Sequence, residues 1–573
     1  MQRKFLYLFI FALAFIGCEI NSLTHALFDT NALMVFLALS FLSLCFLKNF
    51  SSGIEIEPPG KPEFFLFLYL IWAAGTFYFS VNPDLTSYGS MKCLAALAFG
   101  LGLIFYLKNL EMLIDIWLLS FIFAGIHGAA GIIEQFFPLY LDASLSINGS
   151  RSFFTHPNFY SCYLQIHIPI GVYLYFNTID VFRKKLIGIG WICILIALGF
   201  SGSMAGQLIA GLQIIAVILF FWKIQKLGKV KLVVFGVVAA LIIYLSLNSF
   251  ILGVDPLYEI KNIGNKEVAS NLYGVHVDNR LVYWMGAWDI FLNHWLTGSG
   301  LLTFTELYPF TGFLEKYPHA LLPPHAHSLY IQTASETGLI GFSLLMISIL
   351  FVLKENVIKF KKTSGVTQEL NFYLLLSFSG LLIHGISEYN WLISLFIFYF
   401  VLQVVSMRFA LRENSDYGNK KSGILQSKVL FSISMFSIFL IGFSLFNYYQ
   451  YNQIIIEKVP KAQTLDEVEQ QLNQAKILCE RCGVPYYLSG FANLDEAKKM
   501  QSSNLIDKAQ QAFDELIKRN PYNSKVYMTQ GDISLFQRNN QKAIASYKMA
   551  MRDSRYKEIA RKKLESLERA VDF

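Results

Sequence analysis

The stretch His325-Ala326-His327-Ser328-Leu329-Tyr330, running on to Glu336-Thr337-Gly338-Leu339-Ile340-Gly341, closes a long polar loop and enters an apolar helix. Imidazole is the side chain best matched to proton transfer near neutral pH. Two imidazoles stand here at a predicted membrane surface, where bilayer physics requires no histidine. By residue type alone they read as a loop end that caps or hydrogen-bonds. The rest of the chain shifts that balance.

Composition gives the class. The 573 residues are 54% hydrophobic and only 15% charged, with 52 Phe, whereas a soluble domain carries about a quarter charged residues. The fold expected is all-α: a polytopic membrane helix bundle followed by a more polar helical region. A spanning helix needs about 20 mostly apolar residues. Candidate spans run Phe5–Ile20, Ala32–Leu47, Phe64–Phe79, Cys93–Leu107, Met112–Phe136, Phe159–Phe176, Leu186–Phe200, Met204–Trp222, Leu232–Ile251, Tyr330–Leu353, Phe372–Glu388, Trp391–Val405 and Val429–Phe446. The seventh and eighth nearly touch and predict a tight hairpin. The N-terminus through Gly17-Cys18 resembles a lipoprotein signal, but Phe15 is bulky for one and a first membrane helix explains it as well.

Basic residues set the orientation. With the N-terminus in the cytoplasm, inside loops hold Lys48 and Lys61; Lys108; Arg183 to Lys185; Lys223 to Lys231; Lys354 to Lys362; and Arg408 to Lys428. The short outside loops are nearly free of Lys and Arg, Arg151 excepted. The net charge of +7 lies in these loops and does not indicate nucleic acid. The 138–158 loop, the large 253–328 loop and everything after Tyr449 then face outside.

The organisation expected is a membrane domain over 1–449 and a helical domain over 450–573. The latter repeats: Ala509 and Phe513 recur as Ala543 and Tyr547, each 34 residues on, with Pro521 between. Period and small/aromatic alternation resemble tetratricopeptide repeats. Either a partner-binding module or a helical cap on the outside loop fits. Arg481 to Gly490, with its Gly, Pro and Ser, reads as a break. The seven cysteines form no disulfide framework. Cys479-x-x-Cys482 has too few ligands for a metal site by itself, so it is an incidental pair or a local disulfide.

The outside face collects Arg151, Asn158, Arg280, His325, His327, Glu336, His384 and Glu388. Each has a structural explanation: Arg151 on lipid phosphate, Arg280 paired with Asp278 or Asp289, Glu336 satisfied by backbone, His384 bonded to Glu388 one helical turn away. Taken together they put guanidiniums, imidazoles and carboxylates on one side of a bundle. Arginine grips phosphate through a planar fork that stays charged, and imidazole takes a proton from a hydroxyl. A phosphate-bearing donor and a hydroxyl acceptor fit that pairing.

Arg280 with Trp284 and Ala287-Trp288, the turn Gly298-x-Gly300, and His325-x-His327-Ser328-Leu329-Tyr330 leading to Glu336-x-Gly338-Leu339-x-Gly341 resemble the core signature of the O-antigen ligase superfamily. Thr155-His156-Pro157-Asn158-Phe159 resembles its earlier Pro-Asn element. The resemblance covers roughly Phe136 to Val405. His384-Gly385-Ile386-Ser387-Glu388-Tyr389 also resembles a segment of bacterial protein O-oligosaccharyltransferases, except that Asn390 replaces their proline. The superfamily's Ser-Arg near the eighth helix is absent here, where Ser203-Met204 stands.

The resemblance implies a protein of the bacterial inner membrane, its outside regions periplasmic, that transfers a glycan from an undecaprenyl-diphosphate carrier to an acceptor hydroxyl on a lipid, a glycan or a protein. O-antigen or polysaccharide ligation comes first, with protein O-glycosylation and glycan polymerisation as alternatives. It also implies Arg280 and Arg151 at the diphosphate, His327 as general base with His325 second, Asn158, Glu336, His384 and Glu388 in support, and no metal or other cofactor. A non-enzyme alternative is a lipid-linked glycan transporter, which would need charged groups through the membrane depth. The chain gathers them outside instead, His127 and Glu134 being the main exceptions.

Overall fold

The computed structural model describes residues 7, 30–51, 59–137, 150–223, 274–317, 322–361, 363–410 and 424–571. These are helical, with no strand among them. The first helices are α1 (Thr30–Ser51), α2 (Lys61–Gly75), α3 (Pro83–Tyr106), α4 (Leu110–Phe136), α5 (Pro157–Asn177), α6 (Val181–Phe200), α7 (Met204–Lys223) and α8 (Gly274–Asn293). There follow α9 (Leu329–Phe360), α10 (Gly365–Ser387), α11 (Ser394–Ala410) and α12 (Ile424–Asn452). All the predicted spans except Phe5–Ile20 and Leu232–Ile251 coincide with these helices. Those two lie outside the described residues, Tyr7 apart. Among the described residues, four helices are long and apolar enough to cross a bilayer by length and composition, Pro83–Tyr106, Leu110–Phe136, Leu329–Ile358 and Gly365–Ser387. The protein is a multi-pass membrane helix bundle.

Local sequence sets the helix ends. Asn82 and Asn109 cap α3 and α4 by accepting from Leu85 N and Met112 N, and Pro83 sits in the first turn, where its missing N–H costs nothing. The predicted hairpin is present: α6 ends at Phe200 and α7 begins at Met204, with Gly202 at φ 68° making the turn. A helix apolar all round belongs at the centre, and α5 and α11 are buried along almost their whole length. Interhelical hydrogen bonds tie the interior where lipid offers no partner. Gln403 Nε2 donates to Ser377 Oγ (2.8 Å), Ser377 Oγ to Ile166 O (2.6 Å), and Trp117 Nε1 to Ser406 Oγ (3.1 Å).

The most telling feature of the bundle is a break in α9. Gly338 has φ 67° and ψ −174° in the middle of an otherwise helical run. The break leaves the carbonyls of Ser335 and Glu336 and the amides of Leu339 and Ile340 to find partners, and backbone inside a membrane bundle cannot go unpaired. The segment after α8 supplies them. Ser299 N and Gly300 N donate to Ser335 O and Glu336 O, each at 3.0 Å. Trp295 O and Leu296 O accept from Leu339 N (2.7 Å) and Ile340 N (3.4 Å). The approach excludes side chains: a Cβ on Gly298 would lie 2.2 Å from Glu336 O, and one on Gly338 would lie 2.4 Å from Leu296 O. Both glycines are also at positive φ.

The 253–328 stretch is therefore not simply a polar loop. Its described part contains the five-turn helix α8 and two one-turn helices, Phe304–Leu307 and Phe313–Lys316. Val282, Tyr283, Ala287 and Ile290 of α8 pack on Phe304, Leu307, Tyr308 and Ala326 to make a small core of their own.

After α12 the chain passes through a π-helical and a 3₁₀ turn (Gln453–Lys461) into α13 (Leu465–Leu478), α14 (Val484–Met500), α15 (Ser503–Arg519), α16 (Ser524–Phe536), α17 (Asn540–Ala550) and α18 (Lys557–Val571). Ala509, Phe513, Ala543 and Tyr547 are all fully buried. The expected break over Arg481 to Gly490 is a correction: only 479–483 leaves the helix, and α14 runs through Gly490. Pro485 falls in the tolerated first turn. Gly490 is interior because the Phe513 ring occupies the place of a Cβ, 2.3 Å from where one would stand. Cys479 and Cys482 are joined as a disulfide.

This region docks on the bundle through two carboxylates. Asp84 of α3 accepts from Tyr451 Oη (2.7 Å), Gly483 N (2.6 Å) and Val484 N (3.2 Å), so it sits at the N-terminus of α14, where the helix dipole favours an anion. Glu306 accepts from Asn82 Nδ2 and, at 2.8 Å, from Asn520 Nδ2. Ser554 donates from both N and Oγ to Pro309 O.

Candidate active site

Three chain segments meet at the end of the bundle that carries the α8 region. The first ends in His156 and Pro157 at the start of α5, where His156 Nδ1 caps the helix by accepting from Asn158 N (3.1 Å). The second is 322–328, leading into α9. The third is the exit of α10, where the helix stops at Ser387 and Glu388 turns to extended backbone (φ −151°, ψ 144°).

That turn decides what Glu388 touches. A continued helix would put it over His384, the pairing expected from their spacing. Instead Glu388 Oε1 lies 3.3 Å from His325 Nδ1 and 3.2 Å from His327 Nδ1. Its Oε2 accepts from Asn158 Nδ2 at 2.8 Å, and Tyr389 N donates to Oε1 at 3.1 Å. His384 bonds Asn390 Nδ2 (3.4 Å), which also reaches Cys162 Sγ (3.3 Å). A proline at 390 could make neither contact.

The two histidines differ. Their rings are 4.1 Å apart, but the His325 side chain is 5% exposed and that of His327 is 20% exposed. His325 Nδ1 accepts from His327 N (3.2 Å), which aims its lone pair at the backbone. Burial pushes the His325 imidazole down to about 3, Glu388 pulling against it. Burial would raise the Glu388 carboxyl, but the imidazoles of His325, His327 and His156 outweigh it and hold the group well below the usual carboxylate range. His327 has φ 51°, an uncommon conformation for a residue with a side chain and one that gathers at functional sites. Trp284 Nε1 donates to its carbonyl (3.4 Å), and the Tyr283 ring stacks on its imidazole at 5.7 Å. Its Nδ1 is close to Glu388 but out of line for a hydrogen bond, and is buried without one.

Arg280 is half-buried on α8, close enough to lower the affinity of His325 for a proton. No ion pair or hydrogen bond holds it among the described residues, and none joins it to Asp289. The side chain of Asp278 lies outside the described residues. Arg151 is different: its Nε is 4.0 Å from Glu134 Oε1, and its N, with Ser152 N, donates to Glu134 Oε2. Glu336 is fully buried below the cluster. It accepts from Gln332 Nε2 (2.9 Å), Phe304 N (3.4 Å) and Tyr389 Oη (3.4 Å), so it ties the α9 break to the two loops.

One nitrogen each of His325 and His327 and an oxygen of Glu388 lie within 4.8 Å of one another, a donor set with the chemistry to hold a metal ion. The bond from His327 N to His325 Nδ1 competes with that use of the ring.

The structure thus brings together Asn158, His325, His327, Glu388 and, through Asn390, His384. Glu336 stands beneath them and Arg151 on a carboxylate of its own. Sequence reasoning missed Gln332, which also accepts from Ala326 N (2.7 Å) and so fixes the loop between the histidines. Its signal was its position one helical turn before Glu336. It also missed Lys92, buried inside α3 with Nζ donating to Leu392 O (2.6 Å). A lysine inside an apolar run is itself a functional signal.

Residues 173–346 match the family model described as O-antigen ligase. A comparison with curated proteins gives no match. The matched stretch includes Arg280, His325, His327, Glu336 and both glycines of the α9 break, and stops before Glu388. Over this stretch the chain is similar to the O-antigen ligase family.

Proposed function

We propose that this protein transfers a glycan from an undecaprenyl-diphosphate carrier to an acceptor hydroxyl at the periplasmic face of a bacterial inner membrane, as a ligase of O-antigen or a related polysaccharide. The observation that carries the reading is the pair Arg280 and His327. One is a half-buried guanidinium with no counter-ion among the described residues; the other is an imidazole with a carboxylate at its back and an exposed edge. Arg280 balances charge on the departing diphosphate. His327 takes the proton of the acceptor hydroxyl, and Glu388 stabilises the imidazolium that forms. Arg151, already matched by Glu134, contributes to the field rather than to the grip. His325 stays neutral and positions His327.

A protein acceptor is the second reading. It is favoured by the place of Glu388 at the centre of the cluster, within the segment that resembles protein O-oligosaccharyltransferases. The helices after residue 461 resemble tetratricopeptide repeats in the 34-residue spacing of Ala509 and Phe513 to Ala543 and Tyr547. Their docking on Asp84, Glu306 and Pro309 favours a brace for the α8 region over a free recruiting arm.

Purified full-length protein, given lipid-linked glycan and either a lipid A core or a hydroxyl-bearing protein, tests the reaction. Transfer to the first and not the second supports ligation; the reverse supports protein glycosylation. Arg280→Lys should lose on the order of 10²-fold, because a point charge cannot reproduce the fork. Transfer should survive chelation by EDTA; loss with EDTA and rescue by added Zn²⁺ would move His325, His327 and Glu388 from proton transfer to metal binding. No transfer to any acceptor by well-folded protein would remove the enzyme reading.

A further inference from the structure

Helix α8 shows two faces. One is buried against Phe304, Tyr308 and Ala326, as described. On the other, Leu281, Met285, Trp288 and Leu292 are 53%, 39%, 53% and 56% exposed. Their spacing of four, three and four residues makes a single stripe along the helix. Apart from Asn293 at its last position, no polar residue of the described part of α8 is exposed. A helix face turned to water carries charge, and a contiguous apolar stripe marks a surface that something covers.

The surroundings say what covers it. The stripe runs on into Trp295 and Leu296, also exposed, whose carbonyls bond the amides of Leu339 and Ile340 at the α9 break. Helix α9 is long and apolar enough to span a bilayer, and its own Leu339 and Leu350 are exposed. The α8 stripe is therefore continuous with a surface that faces hydrocarbon. Two of its members are tryptophans, the side chain with an apolar body and a polar edge that collects where acyl chains meet headgroups. Arg280 and Asp289 lie half-buried at its margins, where charged side chains reach out of an apolar layer.

We propose that α8 is an interfacial helix whose Leu281–Met285–Trp288–Leu292 stripe, continued by Trp295 and Leu296, is seated in the phospholipid bilayer. This helix is then a lipid-anchored floor rather than a water-exposed loop. Tyr283 and Trp284 on its inner side hold His327, so the position of that imidazole follows the membrane surface. On the glycan-transfer reading, and only there, a further consequence follows. A donor whose polyprenyl chain stays in the bilayer presents its diphosphate to Arg280 from the side, without leaving the membrane.

The insertion can be tested without any activity. Full-length protein is placed in nanodiscs of phosphatidylethanolamine and phosphatidylglycerol containing a phospholipid with a diazirine in its acyl chain, illuminated, and mapped by peptide mass spectrometry. Seating by about 5–10 Å predicts adducts on the 281–296 stripe at yields like those on Leu350, and about tenfold above those on Phe536, an exposed phenylalanine of α16. Labelling of Leu350 with none on the stripe overturns the proposal. In that case a doubled particle mass by light scattering would assign the face to a second copy, and an unchanged mass would leave it for a protein partner. Because the readout is lipid adducts, absence of glycan transfer would not affect it.

Discussion

Two groups of buried imidazoles stand in this bundle, and they differ in what their nitrogens face. Deep among the helices, His167 is a closed circuit: its Nδ1 bonds Tyr163 O (2.8 Å) and its Nε2 bonds Ser120 Oγ (2.8 Å). His127 pairs with Ser152 Oγ (3.2 Å) and is walled by Phe153, Phe154 and Tyr163. At the bundle end, His327 Nδ1 and His384 Nε2 are buried without a hydrogen bond, beside the carboxylate Glu388. The same side chain is architecture where hydroxyls and carbonyls close its valences. On the function proposed above, it does chemistry where they stay open next to charge.

The comparison breaks most sharply at the two adjacent histidines. His327→Ala should lose about 10²–10⁴-fold in turnover, the contribution of a positioned general base, while lipid-linked donor still binds. His325→Asn should lose less than the roughly 10²-fold floor of that range, because Asn Oδ1 can take the place of Nδ1 and accept the His327 amide. Steady-state transfer and donor binding on both variants check this. If His325→Asn is the worse of the two, the exposed ring is not the base.

Glu388→Gln sharpens the same contrast by keeping the shape and removing the charge. Turnover should fall on the order of 10²-fold, since the imidazolium loses its partner. Stability should change with a definite sign. A carboxyl held below its ordinary value of about 4.3 contributes stability that is complete above that pH and lost as pH falls through the folded value. Thermal unfolding of the wild type should therefore decline steeply on acidification below about pH 4, and Glu388→Gln should decline less. Parallel curves for the two proteins would mean the carboxylate is not coupled to the cluster.

What the sequence made legible follows from periodicity, and what it hid follows from backbone pairing. The spans were visible because apolar runs of membrane length have one interpretation. Helix α8 was hidden: its apolar residues lie on both faces, one toward Tyr308 and one outward, so no polar side marked it as amphipathic. The motif residues Gly298, Gly300 and Gly338 could be quoted, but not the reason for them, which is four backbone hydrogen bonds between segments 35 or more residues apart. Glu388 was placed near His384 by helical spacing. It reached His325 and His327 instead, because the helix ended one residue earlier. Arg151 and Arg280 looked alike in sequence, and only the fold gave one of them Glu134.

The smallest effect expected on chemistry belongs to the interior. His167→Leu removes both ring bonds of the closed circuit. Ser120 Oγ keeps Tyr399 Oη as a partner, and Tyr163 O remains on the helical ladder, so no buried donor is orphaned. The loss should be about 1 kcal/mol of stability, in the range of hydrogen bonds inside membrane bundles, where the less ordered state also finds partners. Thermal unfolding should show that modest decrease, and turnover per folded molecule should match the wild type. The outcome that would undo the comparison is the opposite one: unchanged thermal stability with turnover gone. The interior imidazole would then be coupled to the chemistry, and the closed circuit would not be architecture alone.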